Sequence, residues 1–170
     1  MEIEKKFKIK KFPLALEQYA SKHIEQGYLC VNPVVRIRKS DDRYILTYKS
    51  KFGVDDTEAS DVRINNEMEV LLNEEGYAHL REKIDGFLIE KTRYIIPLPD
   101  GHTGEFDVFE GALKGLYYIE VEFKDEQDAA DFQPPQWFGE NVSDDIRYSN
   151  SYISGLTEIP EFINGGFKAE

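Results

Sequence analysis

Three pairs of glutamates in this chain stand one residue apart: Glu2 and Glu4, Glu67 and Glu69, Glu120 and Glu122. Two basic pairs share that spacing, Arg36 with Arg38 and Lys91 with Arg93, while Lys6 continues the first acidic series and Lys49 ends "RYILTYK". In a strand, residues i and i+2 point to the same face about 6.5–7 Å apart. Each pair therefore sets like charges side by side, an arrangement that repels. Two kinds of ligand relieve such repulsion. Paired carboxylates collect a hard divalent cation. Paired bases collect phosphate oxygens, arginine through its planar fork and lysine as a point charge. A metal-chelated polyphosphate needs both.

Strands carry these pairs. Residues 2–9, 34–40, 43–52, 61–72, 87–98, 104–111, 116–125 and 145–154 read as strands, with apolar partners such as Ile3 and Phe7, Val35 and Ile37, Ile64 and Met68, Phe106 and Val108, and Ile119 and Val121 on the opposite faces. Asp41-Asp42 makes a tight connection. Pro13, then Leu16, Ala20 and Ile24 at i, i+4, i+8, predict a helix that stops at Gly27. A short helix is expected within 73–86, and a helical turn at 126–132 stopped by Pro134 and Pro135. Alternation by itself fits two architectures: a sheet whose charged face is solvated, or a barrel turned inside out with its charges around a central cavity. A solvated face would mix Thr, Ser, Gln and Asn with its charges, whereas these faces run acid-x-acid or base-x-base. Some eight largely antiparallel strands are best protected by closure into a barrel just wide enough for side chains or one small ligand. The expected class is α+β, dominated by an eight-stranded antiparallel closed barrel with a few flanking helices.

Bulk composition narrows the partners. The 170 residues make one domain's worth of chain, 1–170, and carry a formal net charge of −12 from 21 Lys+Arg against 33 Asp+Glu. Non-specific binding to nucleic acid or an anionic membrane is disfavoured, so an anionic ligand must be held by a local basic site. Ten Tyr and eleven Phe favour strands. Cys30 is the only cysteine and reads as a small apolar filler, which suits a reducing compartment. There is no apolar run of signal-peptide or transmembrane length, and charged residues begin at Glu2. The expectation is a soluble cytoplasmic protein, a monomer or homodimer.

In chain order, "EIEKKF", Arg36-x-Arg38, Lys49 in "LTYKS", Glu67-x-Glu69, Lys91-x-Arg93, Asp107 in "EFDVF", Glu120-x-Glu122 and "PPQWFGENVSDDIRYSNSYIS" resemble the ExExK signature and following series of the CYTH superfamily, the triphosphate tunnel metalloenzymes. The resemblance spans about residues 1–155 and is similar to the compact bacterial branch. It implies an eight-stranded tunnel that binds triphosphate, acids holding Mg2+ or Mn2+, and hydrolysis of inorganic triphosphate to pyrophosphate and phosphate. Nucleoside or thiamine triphosphatase, adenylate cyclase and non-catalytic polyphosphate binding remain alternatives. No Walker A sequence or base-stacking motif marks a nucleotide.

The resemblance carries roles to matching positions. Glu2, Glu4, Glu120 and Glu122 are expected to hold metal. Lys6, Arg36, Arg38, Lys49, Lys91 and Arg93 are expected to clamp the phosphates, with Glu67 and Glu69 facing the tunnel and Asp107 orienting a base across it. Lys8, Lys51, Arg63 and Lys124 continue inward registers and are secondary candidates. His23 and His79 in helical segments, and His102 in "DGHTG", are expected to be structural or solvated. Tyr28 and Tyr152 are expected to pack under helices, and Lys5 to sit on a tolerant exterior.

Overall fold

The computed structural model describes residues 1–13, 15–54, 61–156 and 158. Its strands are β1 (Glu2–Ile9), β2 (Ala20–Val31), β3 (Val34–Ser40), β4 (Arg43–Ser50), β5 (Arg63–Leu72), β6 (Asp85–Pro97), β7 (Thr103–Phe109), β8 (Tyr117–Phe123) and β9 (Phe138–Asn141). Three short helices accompany them: α1 (Glu74–Arg81), α2 (Glu126–Asp131) and α3 (Asn150–Ile153). The sheet runs β5-β4-β3-β2-β6-β7-β8-β1-β9, and β5 also pairs with β1, so eight antiparallel strands close into a barrel. Closure uses one end of β1, where Glu2, Ile3 and Glu4 oppose Asn65, Ile64 and Arg63. From Phe7 onward β9 takes over the same edge of β1. Among the described residues no helix is long and apolar enough to cross a membrane.

The eight-stranded barrel is present with one exchange of membership. Segment 20–31 is a strand, not a helix. Its backbone groups pair with β3 on one side and β6 on the other, and a doubly paired strand outweighs a weak helical period. Alternation was hidden there because Gln26 sits on the inward face beside Ile24 and Tyr28, and Glu25, on the outward face, bonds the Tyr77 hydroxyl at 2.8 Å. Gly27 does not stop a helix. It lies buried in mid-strand, where an added Cβ would fall 2.8 Å from the Ile84 side chain. Segment 145–154, expected as a strand, forms a 3₁₀ turn at Ile146–Tyr148 followed by α3. The Asp41-Asp42 connection, α1 and α2 lie where expected, with Asn73 and Asp125 capping the two helices.

Apolar side chains point outward along much of the barrel. Ile3, Phe7, Phe106, Ile119, Val121 and Phe123 from β1, β7 and β8 pack beneath Ala129 and Phe132 of the α2 region and Phe138 of β9. Each such burial contributes roughly 1.5–3 kcal/mol. Lys5 is buried on this face, not tolerated on an open exterior: its Nζ donates to the Ala129 carbonyl at 2.6 Å and lies 3.0 Å from Asp61. A second core fills one end of the barrel from inside. There Tyr28, Ile89, Phe109 and Tyr118 meet Tyr148 and Ile153, delivered by the 3₁₀ turn and α3. The outer face of β4 and β5 is less covered, with Met68 65% and Val70 48% exposed.

Candidate active site

A cavity of about 880 Å³ occupies the barrel interior. Seven glutamates or aspartates from the strands and seven basic residues line it, in a protein whose overall charge is strongly negative. The acids are Glu2 and Glu4 of β1, Glu67 and Glu69 of β5, Glu105 of β7, and Glu120 and Glu122 of β8. The bases are Lys6, Arg36, Arg38, Lys49, Lys51, Arg63 and Arg93. Strand register sets the acids against one another. Glu4 is directly opposite Glu122 across the β1–β8 pair, and Glu105 opposite Glu120 across β7–β8. Like charges so placed weaken a sheet unless something between them is positive.

Some of that charge is balanced by protein. Lys49 Nζ lies 2.8 Å from Glu2 Oε1, and Lys6 Nζ 3.4 Å from Glu120 Oε1. The remainder shows in the carboxyl acidities. Burial, then the Glu120 carboxylate, pushes Glu4 up to about 8. Burial, then a hydrogen bond with Glu67, pushes Glu2 up to about 7 despite Lys49. Burial also raises Glu122, with Glu2 and Glu105 adding to it. Burial opposes ionisation of Glu120 as well, yet Lys6, Arg93 and Lys91 together hold it well below the usual range. Clustered carboxylates that resist ionising on their own fit a hard divalent cation, whose oxygen ligands they would become.

The basic side is only partly satisfied by the protein's own acceptors. Arg36 bonds Thr47 Oγ1 at 3.2 Å through Nη2, but its buried Nε has no hydrogen-bond acceptor among the described residues. Arg38 donates twice to Gln26 Oε1, at 3.0 and 2.7 Å, while burial and the nearby Arg36 and Arg93 lower it to about 9. A buried arginine donor without an acceptor is costly, and a phosphate oxygen supplies one.

Eleven of the thirteen site residues expected from sequence line the cavity; Lys91 and Asp107 do not. Both point into the barrel at its plugged end, beside Phe109 and Tyr118, and are almost fully buried. Asp107 joins its own neighbours and does not reach across the tunnel. It accepts from Lys91 Nζ at 2.7 Å and from Arg93 Nε and Nη2 at 2.7 and 2.9 Å, because β6 and β7 pair Arg93 directly with Asp107. Burial lowers Lys91 to about 7 even with Asp107 beside it. Of the secondary candidates, Lys51 and Arg63 line the cavity. Arg63 spends its guanidinium on the carbonyls of Ser143, Val142 and Asp145, tying β5 to the closing segment. Lys8 lies 3.2 Å from Glu140 and 5.1 Å from the Tyr148 ring centroid, away from the cavity, and Lys124 is exposed.

Several lining residues were not among the expected site residues. Glu105 shares the face of Asp107, and the same alternation identifies it. Tyr28 both packs in the end core and lines the cavity. Ser143, Ser149, Asn150 and Ser151 line it too, and the buried Asn150 Oδ1 lacks a partner among the described residues. They come from the closing segment, which has no periodic signal. Tyr152 is 41% exposed and does not line the cavity. Of the histidines, His23 is exposed on a strand and His79 exposed on α1. His102 is structural, edge-on to Phe123 and Phe132 at 5.2 and 5.3 Å. Cys30 is a free, half-buried thiol on β2.

An inorganic triphosphatase of Nitrosomonas europaea is 36% identical over 156 residues, covering 90% of this chain and 96% of that protein. The chain belongs to the triphosphate tunnel (CYTH) family. An inorganic triphosphatase of Acetivibrio thermocellus is 36% identical over 132 residues, covering 75% of this chain and 77% of that one. The crystal structure of an inorganic triphosphatase superposes with a TM-score of 0.65 at 34% identity, covering 92% of this chain and 95% of the other. No family model matches the chain.

Proposed function

We propose that this triphosphate tunnel protein hydrolyses inorganic triphosphate to pyrophosphate and phosphate with the help of a divalent cation, Mg2+ or Mn2+. The observation that carries the reading is the division of one cavity into a carboxylate wall and a basic wall whose Arg36 Nε lacks an acceptor among the described residues. Arg36, Arg38, Lys49 and Arg93 bind the phosphate oxygens and stabilise charge on the transferred phosphoryl group. Lys91 and Asp107 act through Arg93, fixing its fork from behind. Lys6 keeps Glu120 ionised. Glu2, Glu4, Glu120 and Glu122 would hold the cation, which supplies charge neutralisation along the triphosphate. Water attacks the terminal phosphorus in line, the bridging P–O bond breaks, and the electron pair leaves with pyrophosphate. An ionised carboxylate of the cluster accepts the proton of the water.

Inorganic triphosphate is favoured over ATP because the strand-borne charges of the cavity suit phosphate or metal, and a nucleoside replaces a charged terminal oxygen with an ester. The test compares kcat/KM for tripolyphosphate and ATP under one Mg2+ condition, then repeats the tripolyphosphate assay in excess EDTA. Tripolyphosphate should be the better substrate and EDTA should abolish turnover. Equal or better use of ATP would move the reading to a nucleoside triphosphatase, and undiminished activity in EDTA would remove the metal role.

A further inference from the structure

On the outside of the barrel, opposite the wall that carries Lys91 and Arg93, three potential ligands converge. They are His23 of β2, Glu90 of β6 and Glu110 just beyond β7. One ligand atom from each lies within 4.8 Å of the other two, and His23 Nδ1 is 4.0 Å from Glu110 Oε1. We propose that this triad is a second metal site, distinct from the tunnel, for a borderline divalent ion of the Zn2+ class.

The donor set makes the choice of ion. One imidazole and two carboxylates suit Zn2+, whereas Mg2+ prefers an all-oxygen octahedron and keeps its waters. Ligands held about 2.1 Å from a tetrahedral ion stand roughly 3.4 Å apart. The present separations therefore close by side-chain rotation without movement of the strands. The backbones are already fixed. His23 N donates to Asp41 Oδ1 at 3.0 Å, and Asp41 N donates to the His23 carbonyl at 3.0 Å. Glu110 N donates to the Glu90 carbonyl at 2.9 Å. Thr92, directly opposite His23, donates from Oγ1 to Glu110 Oε1 at 2.9 Å and so orients the carboxylate from outside the ligand set. Among the described residues no lysine or arginine ion-pairs with Glu90 or Glu110. The His23 and Glu110 side chains are 53% and 43% exposed, so water can complete the coordination.

An ion here fastens β2, β6 and β7 together at one point. Those strands carry Gln26, Arg93 and Asp107 on their inner faces, so the site braces the basic wall without touching it.

Zn2+ retention after dialysis against excess Mg2+ tests the proposal, with metal content measured for the wild type, His23→Gln, Glu110→Gln and Glu4→Gln. One Zn2+ per chain should remain in the wild type and in Glu4→Gln, and be lost from both outer-face variants. Zn2+ at about 100 times its Kd should raise Tm by roughly 5–10 °C in the wild type and not in His23→Gln. Tripolyphosphate hydrolysis in Mg2+ should be unchanged in His23→Gln. No retained Zn2+, retention unaffected by His23→Gln, or loss confined to Glu4→Gln would each overturn the site.

Discussion

Glu4 of β1 stands directly opposite Glu122 of β8, and the Glu120 carboxylate, after burial, resists its ionisation, so three carboxyl groups meet where the barrel is closing. The pairing is imposed by register, and its electrostatic strain is a property of the ligand-free fold.

Replacing Glu4 with Gln should abolish tripolyphosphate hydrolysis and stabilise the chelated, ligand-free protein. The folded Glu4 carboxyl titrates at about 8, above its ordinary value of 4.5, so the fold holds a proton that the unfolded chain releases. Stability linked to this group is present below about pH 4.5 and is lost as pH rises toward 8. In EDTA, the variant's Tm should match the wild type near pH 4 and exceed it by several °C at pH 8, since about 1 kcal/mol moves Tm by roughly 2–4 °C at this size. A variant less stable than the wild type at pH 8 would refute carboxylate crowding as the cause.

Removing the unpartnered donor of Arg36 should cost catalysis and not the fold. Arg36→Ala is expected to lower kcat/KM for tripolyphosphate on the order of 10²-fold. Arg36→Lys should recover only part of this, because a point charge cannot replace the planar fork. Steady-state kinetics with unchanged circular dichroism would separate the two effects, and a fully active Arg36→Lys would show that only charge matters.

Asp107 is a positioning residue whose loss should be felt first in stability. It is the shared acceptor of Lys91 and Arg93, and breaking a buried pair from one side costs ~3–5 kcal/mol. Asp107→Asn should therefore lower Tm on the order of 10 °C. It should also raise KM for tripolyphosphate more than it lowers kcat, since Arg93 loses its alignment. A Tm within error of the wild type would rule out this structural role.

His102 should give the fold a pH dependence unrelated to the tunnel. Its ring lies 2.8 Å from Asp100 and 3.0 Å from Asp128. Burial works against protonation, but the Asp100 and Asp128 carboxylates beside the ring, the latter bonded to Nε2, raise the imidazole above 6.5. Its contribution is fully present below about pH 6.5 and fades as pH rises through the higher folded value. His102→Gln should lower Tm more at pH 5.5 than at pH 8.5, and an equal loss at both would mean that packing on Phe123 and Phe132 alone matters.

Sequence by itself determined which side chains share a face. In β1, β3, β5 and β8 the two-residue period is local, so Glu2 with Glu4, Arg36 with Arg38, Glu67 with Glu69, and Glu120 with Glu122 had to point the same way once the segments were extended. Their like charges marked that face as the ligand face. Tertiary structure decided what depends on partners distant in the chain. Segment 20–31 became a strand because β3 and β6 each offered it a hydrogen-bonding edge, and that brought Tyr28 to the cavity and His23 beside Glu90 and Glu110. The 3₁₀ turn and α3 became an internal plug because the apolar inward ends of β6, β7 and β8 needed Tyr148 and Ile153 to cover them. Lys91 follows the same inward alternation as Arg93, yet the plug fills the barrel at its level and Asp107 takes up its ammonium there. Side-chain direction is a property of two residues; depth in a barrel is a property of everything packed at that level.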